Sequence, residues 1–222
     1  FGYENIKFFS KNLEIIKKNN FFDITGDIEN SKVALDPSLL FKLANFKSDY
    51  LSDKNILLQS KNLFSFKLNS NYKVENLKID SNIEFDEIYF NKHYQDIIYL
   101  KNGKINSKYE KNHIYANLTS NFSFLDKKDL KNNYKNNILE LTLKKQNSEN
   151  IKIQGNISND KTLINPKVFL NLLKLDPNLV IDDKINLQTD NKFQFDIDEN
   201  NQLKNYLINS NIKLDKLITN KN

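Results

Sequence analysis

The sequence predicts a mainly β protein: a long, twisted antiparallel sheet built on a 129-residue repeat, with one short amphipathic helix per repeat. Three observations carry that prediction. Apolar and polar residues alternate along most of the 222-residue chain, the period-two pattern of strands with one apolar face. A Pro-started run with helical spacing interrupts the alternation twice, at Pro37 and at Pro166. Finally, residues 22–93 align with 151–222 without a gap, with 23 identities in 72 positions.

The rare residues confirm the register of that self-match. Gly26 falls on Gly155 and Pro37 on Pro166, although the chain has only 4 Gly and 3 Pro. Phe64 and Phe66 fall on Phe193 and Phe195, and Ser81-Asn82-Ile83 on Ser210-Asn211-Ile212. Residues 1–137 read as a first repeat, partial at its N-terminus, and 138–222 as a second one, cut at its C-terminus. Both belong to a continuous sheet rather than to independent domains.

Within a repeat the elements follow one another legibly. Leu139, Leu141 and Leu143 alternate with polar residues, as do Ile151, Ile153, Gly155 and Ile157. Each helix then opens on a cap whose side-chain oxygen can accept a free backbone N–H, Asp36 or Asn165, followed by Pro at the first helical position. Leu39, Leu40 and Leu43, or Val168, Phe169, Leu172 and Leu173, form the apolar side of about ten helical residues.

Alternation resumes with Ile56 and Leu58, then Phe64, Phe66 and Leu68, then Leu77, Ile79, Ser81, Ile83 and Phe85, each group read as a strand. The second copy repeats this with Ile185 and Leu187, then Phe193, Phe195 and Ile197, then Tyr206, Ile208, Ser210, Ile212 and Leu214. Between the copies, strands are expected around 96–100, 104–110 and 113–124, the last carrying Leu118 and Phe122. Asn102-Gly103 reads as the turn of a hairpin between the first two. The count is seven or eight strands per repeat.

Composition removes several function classes. The chain has no Cys and only His93 and His113, which excludes a disulfide framework, a thiolate site and a multi-histidine metal centre. Its four glycines form no phosphate-binding loop. The net charge is +5, yet every basic residue is Lys, dispersed among 28 acids, without the Arg that reads phosphate and guanine bidentately. Nucleic acid is therefore not an expected partner. No run of 18 apolar residues is present. The chain begins at Phe1 and lacks Met, so it is expected to be part of something longer.

Local candidates for chemistry are weak. Asp196-Ile-Asp198-Glu-Asn200 opens like a calcium loop, but Asn201 stands where Gly is required and Leu207 where the bidentate Glu belongs. A solvated turn is the better reading. The carboxylate pairs Asp182-Asp183 and Glu84/Asp86 fall at turns or on the polar face, and Glu84 is matched by Lys213 in the second copy. No metal, cofactor or catalytic residue is expected.

One helix per 129 residues cannot cover so many one-sided strands. Either the sheet folds onto itself, or its apolar face stays partly open. Here the alternating runs Phe64 to Phe85 and Phe193 to Leu214, with the Pro-started helices at 37 and 166, resemble the AsmA-like bacterial envelope proteins, particularly the YhdP and TamB branch. The resemblance covers essentially the whole chain and rests on pattern, with no catalytic signature. It implies a U-shaped, taco-like β-groove in a periplasmic protein anchored in the inner membrane by a helix outside this segment. It further implies a non-enzymatic role in phospholipid transport between inner and outer membranes, which the protein would contact through parts not present here.

On that reading the groove lining comprises Ile56, Leu58, Phe64, Phe66, Leu68, Ile79, Ile83, Phe85, Leu118 and Phe122. From the second copy it takes Ile153, Ile157, Ile185, Leu187, Phe193, Phe195, Ile197, Ile208, Ile212 and Leu214. Its partners would be phospholipid acyl chains. The alternative is a repetitive extracellular β-protein, adhesin-like or structural, with a closed core and a polar binding face.

Overall fold

The computed structural model describes residues 2–3, 6–38, 54–90, 98–124, 137–146, 150–164, 166–167, 170, 176–181, 184–200, 202–215 and 218. These residues form one open antiparallel sheet. Its strands are β1 (Gly2–Tyr3), β2 (Ile6–Phe9), β3 (Leu13–Lys17), β4 (Phe21–Leu35), β5 (Ile56–Asn69) and β6 (Val74–Tyr89). Then come β7 (Ile98–Glu110), β8 (His113–Phe124), β9 (Asn137–Gln146), β10 (Ile151–Ile164), β11 (Ile185–Ile197) and β12 (Leu203–Leu214). From β4 to β12 each strand pairs with the next in sequence, while β2 and β3 share the outer edge of β4.

The sheet is a single layer. Among the described residues, extensive contacts between strands are confined to sheet neighbours. The chain exposes 15900 Å² of surface, whereas a compact globular chain of 26.1 kDa exposes roughly 10,600 Å². The architecture contributes to that surface, since among the described residues one layer of strands leaves both faces without a second sheet.

Several strands are longer than the sequence pattern predicts: among the described residues one 129-residue repeat holds six strands, β4–β9, where the pattern predicts seven or eight. The expected break between Leu58 and Phe64 does not occur. Ser60 and Asn62 fall on the apolar face there, but their polar groups are satisfied across the strand pair. Ser60 Oγ donates to Asn30 Oδ1, and Asn62 Nδ2 donates to Ile28 O at 3.2 Å and to Ser60 Oγ at 3.0 Å. A satisfied polar group costs little to half-bury, so the strand continues.

The hairpin predicted at Asn102-Gly103 is also overturned. Both residues lie inside β7, opposite the single residue Ser120 of β8, and form a β-bulge with Asn102 at φ 51°. Ser120, 2% exposed, donates its hydroxyl to Lys101 O across the bulge at 2.9 Å. Asn-Gly supplies the left-handed backbone that a bulge needs as readily as the one a turn needs. The real turn lies at Lys111 (φ 49°) and Asn112 (φ 63°), the two left-handed centres of a type I′ hairpin.

Pro37 and Ser38 are helical, as are Pro166, Lys167 and Leu170. Asp36 Oδ1 accepts the Ser38 N–H at 2.8 Å, the bond expected of an N-cap. Asn165, the apolar sides predicted for both helices, the start of the predicted 96–100 strand, His93 and Asp182-Asp183 lie outside the described residues.

The 129-residue offset recurs in the geometry. Asn30 accepts from Ser60 Oγ and donates to Leu58 O, and Asn159 does the same with Thr189 Oγ1 and Leu187 O. Both sit at a bulge, between Asn30 and Val33 and between Asn159 and Thr162. Left-handed Asn76 (φ 53°) and Asn205 (φ 51°) mark a second matching irregularity.

The equivalence reaches further back than the sequence alignment. Phe9 faces Glu29 as Ile138 faces Ser158, and Leu13 faces Gly26 as Leu141 faces Gly155. The first copy therefore holds one extra residue between these pairs, which splits the counterpart of β9 into β2 and β3. The surplus loops around Asp27. Its carboxylate accepts the backbone N–H groups of Lys11 (2.7 Å) and Asn12 (3.2 Å), together with Asn12 Nδ2 and Ser10 Oγ. These donors, Lys11 first, hold the Asp27 carboxyl down at about 2.

Candidate functional site

The candidate site is the apolar face, and strand register assembles it. Directly opposed residues of antiparallel neighbours share a face. Ile83, Ile105, Leu118, Leu141, Gly155, Phe193 and Ile208 therefore form one continuous row across β6–β12. The next row runs Ser81, Ser107, Ala116, Leu143, Ile153 and Phe195. Beyond it stand Phe64, Ile79, Tyr109 and Ile114. Across β6–β8, small side chains thus separate two rows of large ones.

The paired phenylalanines follow one plan in both copies. Phe64 and Phe66 stack with ring centroids 6.1 Å apart, as do Phe193 and Phe195. Phe64 lies over Gly26 and Phe193 over Gly155, where an added Cβ would stand 2.7 and 2.3 Å from the respective Cζ atoms. Glycine is required there because the neighbouring ring takes the side-chain space.

Burial is graded along the strands. Ile56, Phe85, Leu100 and Phe122 form a buried cluster with Leu58, Ile88, Ile105, Leu118, Leu139 and Ile157 packed against it. Leu35, Ile185 and Leu187 are buried at the same end of the sheet. All the long connections, 36–55, 90–97, 125–136 and 165–184, join strands at that end. Short turns join them at the other, where the face is more open.

Of the twenty predicted lining residues, Ile56, Phe85, Phe122, Ile185 and Leu187 are buried. Leu58, Phe64, Phe66, Leu68, Ile79, Ile83, Leu118, Ile153, Ile157, Phe193, Phe195 and Ile197 are half-buried. Ile208, Ile212 and Leu214 on β12 are exposed. Sequence reasoning left out Ile105, Leu141 and Leu143, which the rows place between predicted members. Their alternation was visible, and only cross-strand register shows that they fill the gap.

The opposite face is polar and laced with ion pairs. Lys104 meets Glu84 at 3.1 Å, Lys108 meets Asp80 at 3.6 Å and Lys78 meets Glu110 at 2.6 Å between β6 and β7. Near the buried end, Tyr89 stacks on Tyr99 at 5.3 Å and donates its hydroxyl to Glu87 at 2.6 Å. Lys101 also reaches Glu87, at 3.1 Å. Burial, reinforced by the Glu87 carboxylate, pushes the Tyr89 hydroxyl up to about 12.

Asp198, read from sequence as part of a solvated turn, is buried instead. It accepts the N–H groups of Asn200 and Gln202, both at 2.9 Å, and pairs with Lys204 at 2.7 Å, tying together the β11–β12 turn. These bonds, Lys204 first, hold its carboxyl below the usual range. Among the described residues no three His, Cys, Asp or Glu side chains gather as a metal site.

Comparison of the chain with protein-family models, curated proteins and solved structures yields no match.

Proposed function

We propose that this chain is a non-enzymatic, lipid-conducting segment whose curved apolar face forms a groove for phospholipid acyl chains. The observation carrying this reading is a row of half-buried Ile, Leu and Phe from β6 to β11, broken at Gly155 where the Phe193 ring lies over the backbone, on a sheet that no second sheet covers among the described residues. Removing an alkyl chain from water is worth about 0.8 kcal/mol per methylene, so a sixteen-carbon chain would gain on the order of 10 kcal/mol. Rows of similar side chains give neighbouring positions similar energy, so a chain can slide without a deep trap. The headgroup stays in water at the rim.

The reading extends the sequence resemblance to the AsmA-like envelope proteins. It takes the segment to act in the periplasm between inner and outer membranes, with the Pro-started helices at 37 and 166 recurring once per repeat. Native mass spectrometry of the purified chain tests it: bound phospholipid is the expected result. Clean protein that also takes up no fluorescent lipid rejects it. Replacing Phe66 or Phe195 by Asp should abolish lipid uptake and leave the β signal in circular dichroism largely intact. Wholesale unfolding would mean that these rings hold a closed core.

A second reading, a repetitive surface protein that binds through its polar face, draws on one observation. A cleft of about 530 Å³ on β9–β12 is lined by Glu140, Thr142, Gln154, Asn156, Lys192 and Asn209. Retention on an immobilised glycan or protein array, without lipid uptake, would favour it.

A further inference from the structure

The polar face is ordered in rows of its own. Strand register aligns Asn82, Asn106, Asn117, Thr142, Gln154 and Gln194, one residue from each of β6–β11. Neighbours in such a row stand about 4.8 Å apart, so the six side chains span roughly 24 Å across the strands. Charges lie to either side. Glu84 and Lys104 belong to one flanking row, Asp80 and Lys108 to the other, each couple closed as an ion pair. In a chain with 33 Lys and 28 acids, the six positions between those rows are amides and a hydroxyl, all uncharged.

The row holds unspent hydrogen-bonding capacity. Asn117 Oδ1 accepts from Thr142 Oγ1 at 2.8 Å, and Asn117 Nδ2 donates to the Tyr115 hydroxyl at 2.7 Å. Asn82, Asn106, Gln154 and Gln194 are exposed, and among the described residues their amides make no side-chain hydrogen bond. Each such amide offers two donors and an acceptor. Tyr115, 38% exposed, sets an aromatic ring beside the middle of the row. Towards β11 the row enters the cleft of about 530 Å³, which Thr142, Gln154 and Gln194 line together with Asn156. There Asn156 Oδ1 is buried with no hydrogen-bond partner among the described residues, whereas buried acceptors ordinarily find a donor.

We infer that this row is a binding strip for an extended, uncharged polysaccharide lying across β6–β11. Such a chain carries hydroxyl groups, each both donor and acceptor, at intervals comparable to the strand spacing, so successive sugars meet successive amides. Neutral amides bond these hydroxyls without the desolvation cost of a charge. The Tyr115 ring gives the apolar face of a sugar a surface to stack on. A hydroxyl entering the cleft also supplies the donor that Asn156 Oδ1 lacks. Acids in both flanking rows, Glu84, Glu140 and Asp80, stand against a polyanion. The inference rests on the polar-face reading, to which it adds a ligand and a place, and it makes no use of the apolar face.

Titration calorimetry of the whole chain with cellohexaose, mannohexaose and laminarihexaose tests the inference. At least one is expected to bind, about tenfold more tightly than its disaccharide, because only the longer chain spans several amides. Asn106→Ala and Gln154→Ala are each expected to weaken that binding about threefold to tenfold, with circular dichroism unchanged. On the native chain, the side-chain NH₂ signals of Asn106, Gln154 and Gln194 should shift in NMR spectra as the sugar is added. Binding of none of the three, equal affinity for disaccharide and hexasaccharide, unmoved NH₂ signals, or affinity unchanged in both variants overturns the inference. So does tighter binding of hexagalacturonate, an acidic chain. A protein retained on the array with no glycan bound would overturn it and leave the polar-face reading standing, whereas retention of neither ends both.

Discussion

The ring of Phe85 occupies the space that a side chain at residue 103 would need. A Cβ built on Gly103 would stand 1.8 Å from Phe85 Cζ, and its three nearest neighbours all belong to that ring. Phe85 is 4% exposed and central to the buried cluster, so it has little room to retreat. Gly103→Ala should therefore destabilise the sheet by about 1–3 kcal/mol in urea unfolding, the usual cost of overpacking. In a Phe85→Ala background the same change should cost almost nothing, since the two residues compete for one volume. An undiminished cost in the double variant would place the strain in the bulge backbone instead.

Asp27 gives the split first-copy edge a pH dependence. Its carboxyl lies near 2 in the folded chain, against about 3.9 for an unperturbed Asp. The folded form thus holds the charged carboxylate more tightly than the unfolded one does. Its stabilisation is complete above about pH 4 and disappears as pH falls towards 2. Amide exchange at Lys11 and Asn12, corrected for the intrinsic pH effect, should accelerate across that window. Asp27→Asn should accelerate it already at pH 6 and flatten the profile.

Asn159 bridges β10 and β11 at 4% exposure, donating to Leu187 O and accepting from Thr189 Oγ1. Asn159→Ala leaves both partners unsatisfied and should cost about 1–3 kcal/mol. Thr189→Val should cost less, and the double variant should fall short of the sum because the two changes break one shared bond. Urea midpoints at constant slope provide the measurement.

Tyr89 should titrate near pH 12 by absorbance at 295 nm, displaced upward by burial and by the adjacent Glu87. Glu87→Gln should bring it down towards the ordinary value near 10. Since its folded pKa is raised, its contribution to stability is intact below about pH 10 and is lost as the pH climbs through 12.

How much of this was legible in the sequence depended on whether the signal was local. Alternation at Phe64, Phe66 and Ile79–Phe85 identifies strands because period two is a property of one chain segment. The repeat emerges from Gly26, Gly155, Pro37 and Pro166 because rare residues keep their register. Asn102-Gly103 misled because its left-handed preference serves a bulge and a hairpin equally; only the pairing of β7 with β6 and β8 on either side of it decides between them. Ser60 and Asn62 resembled a strand break until Asn30, thirty residues away, supplied the partner. The extra residue between Phe9 and Leu13 was invisible for a similar reason, since only pairing with β4 reveals it. For the candidate site, the lining side chains were readable, but their order in rows was not.

Because β4 to β12 follow one another as neighbours in a single layer, each strand's stability depends chiefly on the two beside it. Such a sheet behaves as a linear chain of coupled units, in which folding can spread outward from any well-formed hairpin. Under tension it should come apart one strand at a time from an end, with a sawtooth of small, similar force peaks. Evolution can likewise lengthen or shorten it by whole hairpins without redesigning a shared interior.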